Sequence, residues 1–178
     1  MPLKVKLLDN LATPPTVAHA GEDLGYDIYA KIIPGQLRNE DGTPVPFAEP
    51  KAGMPYRIDT TTGKQVRPIR IESGRPTLVE TGIAAHFVKD GQKFGLLVRD
   101  RSSIAKKGLF TVAGVIDEGY RGEIKIMFNL AAGSYLDLYP GDKIAQLIPV
   151  PVYTDTVEVV DDLDASAREE GGFGSTGQ

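Results

Sequence analysis

The chain has no cysteine and no tryptophan, only two histidines, and no surplus of positive charge. Without cysteine there is no disulfide framework, no thiol nucleophile and no thiolate metal site, so redox chemistry through the protein itself is excluded. His19 and His86 stand far apart in sequence and leave little material for a histidine-rich metal site; each reads as an ordinary side chain. The start, Met1 to Asp9, is interrupted by Lys4 and Lys6 before an apolar leader could form, and no later run is long enough to span a bilayer. The expectation is a cytoplasmic protein with no membrane contact. A formal net charge of −4 argues against broad binding to a nucleic-acid backbone, because no basic excess exists to displace condensed counterions. Any phosphate must therefore be held locally.

What is present fits one folded domain. With 178 residues, 41% hydrophobic and 25% charged, the chain can bury a core without covalent staples. Short segments rich in Val, Ile, Leu and aromatics alternate with Gly, Pro and Asp, which predicts strands at Val5–Leu8, Asp27–Ile32, Ile69–Glu72, Leu78–Val79, Ala84–Val88, Phe94–Arg99, Glu123–Phe128, Lys143–Val152 and Val157–Val160. An all-β sandwich or jelly roll fits this spacing. The one helical candidate is Ser103–Lys107, with Ser102 or Ser103 as N-cap and Gly108 ending it. Residues 34–73 differ, with Pro44, Pro46, Pro50 and Pro55 followed by Tyr56–Asp59 and Gln65–Ile71 around Thr62-Gly63, and read as a loop and then a hairpin. No chemistry attaches to that insertion from sequence.

Five segments carry residues suited to chemistry. The end, Arg168 to Gly177, contains glycines that let successive backbone N–H groups face one anion, with Ser175 and Thr176 as hydroxyl donors, Arg168 as a planar cation, and Phe173 as an apolar ring among glycines. Taken alone it equally reads as a solvated tail. Arg101-Ser102-Ser103 opens the helical candidate, where unpaired N–H groups attract an anion or the serines simply cap. In Gly114 to Glu123, Asp117 follows an apolar pair at a strand's end; there it is either a general base toward water, worth about 10²–10⁴ in rate, or an ordinary turn residue. Tyr120 either packs under a sugar or joins the core. Gln146 shares a strand face with Ile144 and Ile148, an odd place for an amide unless a partner awaits it, and Asp27 lies inside an apolar strand as a possible metal or structural carboxylate. No other acid cluster resembles a Mg²⁺ cage, so such an ion would be held mainly by a substrate's phosphates.

In order, Gly25–Ala30, Arg101–Gly108, Gly114–Glu123, Gly141–Ile148 and Arg168–Gly177 resemble the five motifs of the trimeric deoxyuridine triphosphatase (dUTPase) family. The resemblance implies a jelly-roll (distorted β-barrel) homotrimer, with active sites between subunits and an exchanged C-terminal arm. Residues 1–167 would form the domain, insertion included, and 168–178 a phosphate-binding lid. It implies hydrolysis of dUTP to dUMP and pyrophosphate with Mg²⁺, Asp117 activating water for attack on the α-phosphorus. By position, Arg101, Ser102 and Ser103 would serve the phosphates, Gln146 the α-phosphate side, and Asp27 an outer-sphere contact to metal-bound water. Uracil would be read around Gly114, deoxyribose by Tyr120, and the γ-phosphate by Arg168, Ser175 and Thr176, with Phe173 over the base and Gly174 also binding substrate.

Three departures stand out. Gly119 occupies a position where many members carry a second acid, Glu169-Glu170 follows the lid arginine, and the insertion lengthens the span between the first two motifs. The rival within the same fold is a dCTP deaminase, which needs a glutamate where this chain has Met127; a thioether relays no protons. A non-catalytic trimer that binds a protein partner is the other alternative, and intact Asp117, Arg168 and Phe173 argue against it.

Overall fold

Strand-forming segments this short reach stability only by stacking faces against one another, and the computed structural model of the chain, which describes residues 3–8, 10–31, 57–58, 65–66 and 68–165, shows them doing so. In chain order the strands are β1 (Lys4–Leu7), β2 (Tyr26–Tyr29), β3 (Arg57–Ile58), β4 (Gln65–Val66), β5 (Ile69–Glu72), β6 (Thr77–Val79), β7 (Ile83–Lys89) and β8 (Gln92–Asp100). A single turn of helix, α1 (Ser102–Ala105), precedes β9 (Leu109–Thr111), β10 (Val115–Ile116), β11 (Ile126–Leu130), β12 (Tyr135–Leu138) and β13 (Lys143–Pro151). This is the all-β jelly roll with one short helix that the sequence leads one to expect.

The main sheet runs β1-β7-β8-β13-β2, with β10 also paired to β8; smaller sheets are β6-β11-β9 and β12-β5. Alternation sets the faces. On β11, Ile126, Phe128 and Leu130 point inward and Met127 and Asn129 outward. Phe128 meets Ile28, Ile71, Ile83, Leu109 and Leu147 in one core whose members are almost wholly shielded from solvent. Among the described residues the buried polar side chains are Thr81, which donates to the carbonyl of Ile124, and Asp27.

Several expectations need correction. Gln65–Ile71 does not form one strand. Pro68 lacks a ladder donor and splits it, so Gln65–Val66 pairs with Arg57–Ile58 as a hairpin while Ile69–Glu72 turns away to β12. Glu123–Phe128 begins its ladder only at Ile126; ahead of it Ile124 donates to the carbonyl of Ile83 and the Glu123 side chain accepts the N–H of Gly82. Val157–Val160 pairs with no strand among the described residues, and Val157 and Val159 are at least nine-tenths exposed. Its alternating valines have strand propensity, but that propensity is realised only against a partner edge. Short β9 and β12 escape sequence patterning because they are only three and four residues long, whereas β10 is the strand end expected just before Asp117. Pro149 and Pro151 are tolerated in β13 because its pairing with β2 ends at Leu147, which leaves that side of the strand without a ladder to break.

Truncating Phe128→Ala should therefore cost about 3–5 kcal/mol, the usual penalty for an aromatic removed from a closed core. Urea unfolding monitored by far-UV circular dichroism checks it; a loss below about 1 kcal/mol would place Phe128 outside the core.

Candidate active site

Asp27 stands directly opposite Gln146 on β13, and Gln146 directly opposite Arg99 on β8. Facing residues across three strands share one side of the sheet, so Arg101, two positions beyond Arg99, projects on that side too. Its Nε donates to Asp27 Oδ1 at 2.8 Å, while Lys143 Nζ approaches Oδ2 at 2.9 Å and Gln146 Nε2 reaches Oδ1 at 3.4 Å. A carboxylate only 8% exposed needs this. Burial opposes its charge most strongly, yet the hydrogen bonds from Lys143 and Arg101, with their positive charge, prevail and hold its carboxyl below the usual carboxylate range. In return, the hydrogen bond to Asp27 holds Lys143 protonated above the usual lysine range. The odd amide of Gln146 thus has its partner, and the Asp27 carboxylate ties β2, β13 and the start of α1 together. Sequence reading passed over Lys143, whose only signal is its place beside the Gly141-Asp142 turn.

Arg101, not a serine, is the N-cap of α1. Its backbone is extended (φ −84°, ψ 138°), its carbonyl accepts from the N–H groups of Ile104 and Ala105, and no side chain caps the helix. Ser102 and Ser103 are therefore the first two helical residues, both exposed; the Ser103 hydroxyl accepts from Arg101 at 3.4 Å. Gly108 ends the turn in the left-handed conformation as expected (φ +79°). Ile144 does not share the alternation with Gln146. A register shift between Lys143 and Ala145 puts Ile144 wholly in the core, and Gln146 shares its face with Ile148 only.

Asp117 belongs to a second locus. It follows β10, is exposed, and its carbonyl accepts the N–H of Tyr120 at 3.0 Å to close a turn. It lies on a groove of about 440 Å³ with Leu78, Val115, Ile116, Tyr120, Glu123 and Lys125. The Tyr120 hydroxyl donates to the Glu123 carbonyl at 2.8 Å, which fixes a half-exposed ring over Gly122. Gly114 enters β10 at φ +98°, where an added Cβ would come within 3.0–3.1 Å of Val98; only glycine lets the backbone approach so closely. Tyr120 is therefore at the groove and not in the core.

The two loci lie apart within one chain. Ile116 is opposite Leu96, so Asp117 falls beside Gly95, and Arg101 is six residues further along the chain, roughly 20 Å at strand rise. Arg168, Phe173, Gly174, Ser175 and Thr176, with Glu169 and Glu170, lie outside the described residues. Among the described residues no three His, Asp or Glu side chains gather as metal ligands.

Because Asp27 has a depressed folded pKa, its contribution to stability is present above its unfolded value near about 3.9 and is lost as pH falls through the folded value. Asp27→Asn should cost about 1–3 kcal/mol at pH 7, the penalty for an unmet charged hydrogen-bond partner. Unfolding curves of both proteins from about pH 7 to about pH 3 should show the gap closing below about pH 4; a gap that widens toward acid would contradict the ion-pair assignment.

The dUTPase family model matches residues 65–177. The deoxyuridine 5'-triphosphate nucleotidohydrolase of Hahella chejuensis is 33% identical over 153 residues, 84% of this chain and 96% of that protein. That of Paraburkholderia phymatum is 38% identical over 114 residues, 62% of this chain and 76% of its own. In fold, the chain is similar to the Staphylococcus bacteriophage 80alpha dUTPase with dUPNHPP, at a TM-score of 0.71 and 22% identity over 99% of both chains. It is also similar to a mutant dUTPase from phage phi11 of S. aureus, in which a structural Mg(II) ion is coordinated, at 0.64 and 20% over 93% of this chain and 100% of that one. With its Asp117 turn and its Arg101–Gln146 cluster inside a jelly roll that these enzymes share, the chain belongs to the dUTPase family.

Proposed function

We propose that the protein hydrolyses dUTP to dUMP and pyrophosphate in the cytoplasm, with Asp117 as the base. The observation that carries this reading is the position of Asp117: an exposed carboxylate at the end of β10, on the lip of a groove whose wall includes the ring of Tyr120. Asp117 takes a proton from water as its oxygen bonds to the α-phosphorus, the bond from that phosphorus to the α,β-bridging oxygen breaks, and pyrophosphate leaves. Tyr120 packs on deoxyribose, and backbone groups around Gly114 meet the base.

The other locus binds phosphate in this reading. Ser102 and Ser103 offer hydroxyls at the start of α1, and Arg101 and Gln146 stand behind them against Asp27. Since roughly 20 Å separates this locus from Asp117 in one chain, a complete site draws on more than one copy, as a homotrimer would provide. The stretch Val157–Val160, exposed and paired with no strand among the described residues, supports the same assembly, since its valines could pair with a neighbour's edge. Arg168, Gly174, Ser175 and Thr176 then close over the γ-phosphate with Phe173 on the uracil.

Mg²⁺, when bound to the polyphosphate, neutralises charge that develops on the phosphate oxygens. The donor set fits an outer-sphere role for this chain. Both Asp27 oxygens already accept from Arg101 or Lys143, which leaves lone-pair capacity for a hydrogen bond from metal-bound water but no free carboxylate for direct ligation.

Incubating the purified protein with dUTP, dCTP, dTTP and UTP plus Mg²⁺ should give dUMP and pyrophosphate from dUTP alone, resolved by chromatography. A deaminated product from dCTP would overturn the reading. Asp117→Asn should lower kcat by about 10²–10⁴ while nucleotide affinity is kept, because only the base is removed; equilibrium dialysis with a non-hydrolysable dUTP analogue checks the binding half.

A further inference from the structure

Asp117 sits in a turn whose two ends are secured but whose tip is not part of any ladder. Upstream, Ile116 is paired with Leu96; downstream, Ile124 donates to the carbonyl of Ile83, and Glu123 accepts from Gly82. Between them, residues 117–122 are held by their own bonds: Tyr120 N–H to Asp117, and the Arg121 guanidinium to the carbonyls of Glu118 and Tyr120. Among the described residues, the side-chain bond that joins this stretch to another strand is Glu118 Oε1 to His86 Nε2 at 3.1 Å. His86 is in the middle of β7, opposite Lys4 of β1, and the next residue, Phe87, stands opposite Phe94 of β8, so the ladders on its two flanks make it a fixed post.

We propose that His86 is a positioning residue: with Glu118 and Arg121 it clamps the turn that presents Asp117 to the groove. The geometry favours it. Both partners are about three-quarters buried at the side chain, so the bond is shielded from competing water. A carboxylate only accepts, so the imidazole donates from Nε2. Arg121 Nη2 lies 3.5 Å from the same Glu118 oxygen, which joins post, carboxylate and guanidinium in one chain of contacts. The hydrogen bond from His86 is the largest influence holding the Glu118 carboxyl below the usual carboxylate range, with Lys93 and Arg121 adding attraction. Glu118 follows Asp117 directly, so loss of the clamp is transmitted to the base through one peptide unit.

This inference rests on the proposed role of Asp117, and its test separates the two. In dUTP turnover, His86→Ala should lower kcat about 10-fold with KM within about twofold, the pattern of a base displaced from its attack geometry. His86→Gln, whose amide nitrogen can still donate to Glu118, should recover most of the loss. His86→Ala combined with Glu118→Ala should be no slower than the slower single variant, because both break one link. Independently of turnover, amide exchange read by NMR should show the Tyr120 N–H exchanging about 10-fold faster in His86→Ala and near the unaltered rate in His86→Gln. If the unaltered protein does not hydrolyse dUTP, the activity reading fails while the exchange experiment still decides the clamp. Unchanged Tyr120 exchange and unchanged kcat in His86→Ala, or losses that His86→Gln fails to rescue, would overturn the proposal.

Discussion

A carboxylate shielded from water is tolerable only in the company of cations, and Asp27 imposes that requirement on everything around it. Meeting it brings together β2, which carries Asp27, β13 with Lys143 and Gln146, and the end of β8, where Arg101 turns the chain into α1. The same contacts that satisfy the acid hold the start of α1, with Ser102 and Ser103 exposed, at the sheet's margin. In the proposed mechanism a phosphate site is thus built as a by-product of neutralising one buried charge. Removing the charge would loosen both the sheet and the site, so stability and binding are coupled at that corner.

The second locus follows a different logic. Asp117 is exposed, and its position is set by the tight approach of Gly114 to Val98, by the turn that follows β10, and by the Glu118 side chain held against His86. A base meant to meet solvent water is well served by an exposed carboxylate on a braced turn. In the proposed mechanism, the separation of this locus from the Asp27 cluster along β8 makes assembly of copies part of the chemistry and not merely a matter of stability.

Much of this was legible in the sequence, for identifiable reasons. The core strands announced themselves through apolar alternation, as in Ile126, Phe128 and Leu130, and the motif residues through glycines and charges at set spacings. Local chemistry was legible at Gly108, whose positive φ ends α1. What escaped depends on partners distant in sequence. Nothing in the neighbourhood of Gln146 says that its amide faces Asp27, 119 positions away, and nothing near Ser102 says that Arg101 takes the cap position. Val157–Val160 misled in the opposite direction, because its alternation reports a capacity to pair and not the presence of a partner. His86 looked ordinary because its partner, Glu118, is brought beside it only by the fold.

The claim on which the functional account turns is that the two halves act together across copies of the chain. Mixing Asp117→Asn protein with a Ser102→Ala/Gln146→Ala double variant, after joint unfolding and refolding, tests it directly. Each variant alone should turn over dUTP poorly, whereas the refolded mixture should regain a substantial fraction of activity, because some sites then combine an intact Asp117 from one chain with intact Ser102 and Gln146 from another. A mixture that co-assembles, shown by sedimentation and by pull-down of differently tagged chains, yet stays as inactive as its parents would contradict the account.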